Sequence, residues 1–159
     1  MEDFEIILDG DFGFEITYAN YVRMLADANG RKLHHKINSS GGDVTEMTAM
    51  RNALETYLRK YNTTATMEVV GWVQSAATYF MMVPGVRVVV NADSLFMYHN
   101  PASVAVGDHR AMAKKTAFLS DLADVYAKSY AVRSGKAIEQ VRTEMDAETY
   151  FIGQAIVDN

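Results

Sequence analysis

The stretch from residue 32 to residue 61 constrains the fold of this chain more than any other. Over residues 32–38, Leu33, His35 and Ile37 alternate with His34, Lys36 and Asn38, the period of two expected of a strand. That strand runs directly into Ser39-Ser40-Gly41-Gly42. Asp43, with Glu46 three residues on, has the form of a helix capping box, and Val44, Met47, Met50, Leu54, Tyr57 and Tyr61 then recur at helical spacing. A strand that turns on two glycines into a capped helix is half of a crossover unit, and such units build parallel sheets with helices laid on them.

The rest of the chain repeats this alternation. Residues 5–8 read as a strand, Gly10-Asp11-Phe12-Gly13 as a turn, and residues 17–28 as an amphipathic helix stopped by Asn29-Gly30. Residues 65–70 read as a strand closed by Gly71, and residues 74–82 as a short apolar helix halted by Pro84-Gly85. Strands are expected at 86–90 and 95–98, separated by the turn Asn91-Ala92-Asp93-Ser94. A long helix from about 108 to 134 ends at Gly135, and a shorter one follows at 137–145. The long helix carries two neighbouring apolar stripes, Phe118, Leu122 and Val125 beside Leu119, Tyr126 and Tyr130. That is wider than one core requires, so a second subunit is expected to cover the excess. The expected fold class is α/β, a mostly parallel sheet with flanking helices and a long protruding helix for oligomerisation.

Composition narrows the chemistry. The 159 residues are 49% hydrophobic and 22% charged, enough for a full-sized core, and nothing divides them into separate domains; one domain spanning residues 1–159 is expected. Cysteine is absent, which excludes disulfides and thiolate nucleophiles and suits a reducing, cytoplasmic setting. The histidines are His34, His35, His99 and His109, and their spacing matches no metal-binding run, so neither a metal nor another cofactor is implied. His34 and His35 read as structural, one on each face of a strand. A net charge of −5 with no basic stripe argues against a nucleic-acid partner. No apolar run approaches the ~20 residues that span a bilayer, and the acidic start Met1-Glu2-Asp3 is unlike a secretory signal.

Three segments carry reactive groups. Ser75 lies at a helix start in Gly71-Trp72-Val73-Gln74-Ser75-Ala76-Ala77, and His99 follows a strand in Met97-Tyr98-His99-Asn100-Pro101. Taken singly, Ser75 is a helix cap, His99 a surface imidazole and Gly41-Gly42 an ordinary tight turn. Taken together, a serine, an imidazole to accept its proton and a glycine turn with free N–H groups describe acyl-transfer chemistry. The chain has no Gly-x-Ser-x-Gly, so the nucleophile elbow of the α/β-hydrolases is not its model.

With the acidic segment Met145-Asp146-Ala147-Glu148-Thr149-Tyr150-Phe151, these motifs resemble in order and approximate spacing those of the ClpP family of self-compartmentalising serine peptidases. The likeness runs over nearly the whole chain. It is nearest to the phage and prophage head-maturation branch, marked by Ile37-Asn38-Ser39-Ser40-Gly41-Gly42-Asp43-Val44, His99-Asn100-Pro101 and the Asp-x-Glu-Thr-aromatic tail. The resemblance implies a ClpP/crotonase-like fold and a serine endopeptidase acting on polypeptides. Ser75 would be its nucleophile, His99 its general base, and the Gly42 and Ala76 N–H groups its oxyanion donors, with Val44 lining the substrate groove. The family places an aspartate third; position here favours Glu148, with Asp146 as the alternative acid. Ser40 stands where the family has proline, which is expected to loosen the turn. The resemblance also implies homo-oligomeric rings interlocked by the long helix. It leaves the docking of an AAA+ ATPase open, because the family's N-terminal axial loop and the Gly-x-x-Asp strand after the tail have no counterpart in this sequence, which reads as trimmed. Two other readings fit the same residues: an inactive ring or capsid-assembly subunit, and a crotonase-type enzyme acting on acyl thioesters without a serine nucleophile.

Overall fold

The computed structural model describes residues 2–158. The strands are β1 (Phe4–Asp9), β2 (Leu33–Ser39), β3 (Ala65–Gln74), β4 (Val86–Val90), β5 (Leu95–Tyr98) and β6 (Thr149–Ile152). The helices are α1 (Tyr18–Ala28), α2 (Val44–Tyr61), α3 (Ala76–Phe80), α4 (His109–Ser134), α5 (Ile138–Asp146) and α6 (Ala155–Asp158). The strands form one sheet in the order β1-β2-β3-β5-β6, with β4 also on β3. The pairings of β1 with β2, and of β3 with β2, β4 and β5, are all parallel, so the crossovers expected from the strand–helix alternation are present. The chain divides into two compact units, Met1–Met97 with Tyr150–Asn159, and Tyr98–Thr149.

In the first unit, alternation along the strands sorts the two faces of the sheet. Ile6, Leu8, Leu33, His35, Ile37, Met67 and Val69 are buried on one face, as are Tyr21 and Leu25 of α1, Met47, Met50 and Leu54 of α2 and Phe80 of α3. The Phe80 ring lies 5.6 Å from Phe12 and 5.8 Å from Tyr21. Burying a ring of that size is worth about 2–3 kcal/mol. The opposite face carries a polar ladder: Lys36 pairs with Glu5 at 2.6 Å, His34 with Glu68 at 2.9 Å, and Asn38 donates to Asp9 at 2.8 Å. His34 and His35 thus sit on opposite faces in structural contacts, as the period of two requires.

The longest strand departs from expectation. β3 does not close at Gly71 but continues to Gln74, and α3 is correspondingly shorter than the helix read over residues 74–82. The cause is a change of partner. β3 pairs with β4 as far as Val69↔Val90 and with β5 from Trp72↔Leu95. At the changeover Asn38 accepts the Trp72 N–H at 2.9 Å, and β2 slips register between Ile37 and Ser39. Gly71 leaves room for the Asn38 amide, since a Cβ there would sit 2.5 Å from Asn38 Oδ1. A glycine inside a strand marks close approach rather than the strand's end.

In the second unit, α4 is capped by Asp108, whose carboxylate accepts the Arg110 and Ala111 N–H groups at 3.1 and 2.9 Å, and it ends on the left-handed Gly135. Tyr126, Ala127 and Tyr130 of α4 are buried, with Val141 and Met145 of α5. Of the two stripes on α4, the one through Tyr126 and Tyr130 is therefore the buried one. Phe118 and Val125 of the other are 54% and 48% exposed.

Candidate active site

Ser75 stands between β3 and α3 with φ 53° and ψ −126°. These are the angles of the first central residue of a type II′ turn, a place glycine ordinarily takes. Backbone hydrogen bonds hold the turn. The Ser75 N–H donates to Met97 O at 3.0 Å, while its carbonyl accepts the Thr78 N–H at 3.0 Å and the Thr78 hydroxyl at 2.6 Å. The Ser75 side chain does not cap α3. That removes the ordinary explanation for a serine at a helix start, since the hydroxyl satisfies no helical N–H. The local geometry is the sharp strand-to-helix elbow typical of nucleophilic serines, reached here without flanking glycines.

The space such an elbow needs comes from a different segment. Gly41 has φ +114°, and a Cβ there would lie 2.7 Å from the Ser75 Cβ and 3.2 Å from the Ala76 nitrogen. The glycine turn therefore packs directly on the serine, and only a residue without a side chain fits between. Gly42, with φ +117°, is held from the other side, where a Cβ would lie 2.4 Å from Phe12 O. Phe12 brackets the turn, donating its N–H to Gly41 O and accepting the Asp43 N–H, both at 2.8 Å. Neither bond uses the Gly42 N–H. Ala76 is the first residue of α3, where a backbone N–H has no intrahelical acceptor. Val44 opens α2 immediately after the turn and is half-buried.

Two details of this turn differ from expectation. Ser40, in place of the family's proline, donates its hydroxyl to Asp11 Oδ1 at 2.5 Å and so ties the turn down. Glu46 does not reach back to complete a capping box; its carboxylate accepts the Tyr18 N–H at 2.6 Å, linking α2 to α1. Asp43 caps α2 alone, accepting from Thr45 and Glu46 at 2.7 and 2.9 Å.

The second unit places His99 directly after β5. His99 Nδ1 lies 3.5 Å from Glu148 Oε1, the histidine largely buried and the carboxylate 63% exposed. Glu148 occupies the turn between α5 and β6 with φ +50°, which aims it differently from its neighbours on α5. Asp146, the other candidate acid, is engaged elsewhere: its Oδ1 accepts from Asn100 Nδ2 at 2.6 Å. Of the expected site residues, then, Ser75, Gly42, Ala76 and Val44 belong to the first unit, and His99, Glu148 and Asp146 to the second. Phe12, Asn38 and Asn100 were not singled out from sequence. Asn38 and Asn100 lie inside the quoted motifs but their side-chain amides carry no role readable from the motif, and the Phe12 bracket is made by backbone alone. His109, on the first turn of α4, is exposed and lies apart from these contacts.

Among the described residues, no group of three or more His, Cys, Asp or Glu side chains is placed to hold a metal ion, and no helix is long and apolar enough to cross a membrane. No curated protein matches the chain. The family model described as Clp protease matches residues 8–158, from the end of β1 to the end of α6 and through every candidate site segment described above. With the match covering nearly its entire length, the chain belongs to the Clp protease family.

Proposed function

We propose that this protein is a serine endopeptidase in which Ser75 attacks the scissile carbonyl and His99 is the general base. Membership of the Clp protease family supports a serine-hydrolase activity. The observation that carries the assignment of the nucleophile is the strained φ of 53° at a serine whose hydroxyl caps nothing. Strain of about 1–3 kcal/mol at a non-glycine residue persists where the surrounding structure imposes it, and it concentrates at reactive positions.

The steps follow from the chemistry of the groups. As Ser75 Oγ bonds to the carbonyl carbon, its proton passes to His99, and the carbonyl oxygen becomes an oxyanion facing the Gly42 and Ala76 N–H groups. Each such donor is worth about 3 kcal/mol of barrier height. The imidazolium then protonates the leaving amine as the C–N bond breaks. Water, deprotonated by the same imidazole, hydrolyses the acyl-enzyme and restores Ser75. Glu148 is the orienting carboxylate in this proposal, because it faces Nδ1 whereas Asp146 is occupied by Asn100. Val44 lines the groove for an extended peptide. The exposed apolar stripe of α4 supports assembly into rings through this helix, and the motif likeness supports a head-maturation role in a bacterial or phage-infected cytoplasm.

The test is covalent labelling of the purified assembly with a fluorophosphonate, located by peptide mass mapping. Label is expected on Ser75 in the wild type and absent in Ser75→Ala. Glu148→Gln is expected to lower kcat for peptide hydrolysis by about two orders of magnitude or more, since a misoriented imidazole is a poor base. Asp146→Asn is expected to cost far less. An assembled wild-type protein that neither labels nor cleaves peptides would instead make this chain an inactive ring subunit. Equal losses in Glu148→Gln and Asp146→Asn would remove the assignment of the acid.

A further inference from the structure

We propose that the last turn of α5 is a positioning device for His99, with Glu144 and Asp146 holding the residues on either side of the histidine through Tyr98 and Asn100. This rests on the reading of His99 as general base and Glu148 as its orienting carboxylate.

The contacts all lie within the second unit. The Tyr98 hydroxyl donates to Glu144 Oε2. Asn100 Nδ2 donates to Asp146 Oδ1 at 2.6 Å. His99 lies between these two residues, which are fastened two positions apart on a single helical turn. Its partner is fastened to that same turn. Thr149, directly after Glu148, donates its hydroxyl to the Glu144 carbonyl at 2.7 Å, and the Glu148 N–H donates to Met145 O at 3.3 Å. Residue 144 therefore touches the residue before the base with its side chain and the residue after the acid with its backbone.

Glu144 is itself locked. Lys136 Nζ lies 3.0 and 2.7 Å from its two oxygens, and Gln140 Nε2 donates at 2.9 Å. The Glu144 and Lys136 side chains are only 19% and 12% exposed. Burial works to raise the Glu144 carboxyl, but the hydrogen bonds from Lys136, Tyr98 and Gln140 outweigh it and hold the group below its ordinary value. It is therefore a carboxylate acceptor at neutral pH. The Tyr98 ring packs 4.8 Å from Tyr130, so removing the hydroxyl leaves the packing in place. Charge-assisted bonds of this kind, partly shielded from water, are stronger and more directional than an exposed pair. The Asn100–Asp146 bond is exposed and is the weaker of the two anchors.

A displacement of a reacting group by about 1 Å can cost up to a hundredfold in rate. The variants are Tyr98→Phe, Glu144→Gln, their double, and Asn100→Ala. Each is assayed as the assembled protein, with active sites titrated by fluorophosphonate so that kcat is obtained per competent Ser75. Tyr98→Phe and Glu144→Gln are expected to lower kcat about tenfold with KM within about twofold. The double variant should lose little more than the worse single, because both changes act on the Tyr98–Glu144 bond. Asn100→Ala should lose about twofold to threefold. A merely structural role would lower Tm and the titratable fraction while leaving kcat per titrated site unchanged, and that result overturns the proposal. If Tyr98→Phe and Glu144→Gln do not assemble, Asn100→Ala decides: an unchanged kcat per site overturns the proposal. Failure of the wild type to label overturns the reading of Ser75 and His99 instead, so the two failures are separable.

Discussion

Ser75 pays for its position in backbone conformation: φ 53° and ψ −126° place its Cβ in a region that glycine enters freely. The conformation, and not the missing hydroxyl, sets the stability of variants at this site. Ser75→Ala keeps the Cβ and the strain, whereas Ser75→Gly removes both. Ser75→Gly is therefore expected to be the more stable of two inactive variants by about 1 kcal/mol, visible as a Tm about 2–4 °C higher in parallel melts. An equal or higher Tm for Ser75→Ala would show that the backbone at residue 75 is not strained, because glycine then only loosens the unfolded chain. Gly71-Trp72-Val73-Gln74-Ser75-Ala76 assigns Ser75 a nucleophile's role only by likeness to a family. The serine's angles were not legible, because a single sequence does not say where a strand will be forced to turn within one residue.

The elements that make the turn are β3, α3 and the glycine segment before α2. Gly41 and Gly42 look interchangeable in sequence, yet each meets a different wall. A Cβ at Gly41 strikes Ser75 itself, and one at Gly42 strikes the Phe12 carbonyl. Gly41→Ala is expected to push the serine off its position and to abolish fluorophosphonate labelling, with a stability loss of about 2 kcal/mol or more from the positive φ and the 2.7 Å contact. A folded, fully labelled Gly41→Ala protein would show that the contact is relieved without moving Ser75. The strand–glycine–helix unit was legible because its signals are local: alternation, two glycines and a capping aspartate. The continuation of β3 past Gly71 was not. Its cause is the partner exchange from β4 to β5, which depends on residues about twenty positions away. The bond of Glu46 to the Tyr18 N–H was hidden for the same reason.

Across the whole molecule, His35 is the one histidine among the described residues that is fully buried, enclosed beneath α1 and α3. Its Nε2 lies 2.9 Å from the Tyr21 hydroxyl, and its ring centroid is 6.2 Å from that of Phe80. Burial holds the imidazole down at about 4, below the 6.5 of an unfolded histidine. A folded value below the unfolded one means the fold binds fewer protons. Stability from this site is therefore complete above pH 6.5 and lost as the pH falls from 6.5 towards 4, by up to roughly 3 kcal/mol. The double variant Tyr21→Phe/His35→Leu, which removes both partners together, is expected to show a smaller fall in Tm between pH 7 and pH 4.5 than the wild type. Identical pH slopes would remove His35 from the account of acid stability. His34 and His35 were legible as opposite faces of a strand, because the period of two is fixed by backbone geometry. The depth of His35 was not, since it depends on which helices cover that face. The sequence alone thus determined what local chemistry dictates: the strand–helix alternation, the Asp43 cap of α2, the long helix to Gly135 and the residue types able to carry acyl transfer. Tertiary structure alone decided that Ser75 occupies a strained elbow, that Gly41 rather than a flanking glycine makes room for it, and that Glu148 faces His99 while Asp146 turns to Asn100. Those outcomes depend on contacts between residues far apart along the chain, and local propensity does not encode such contacts.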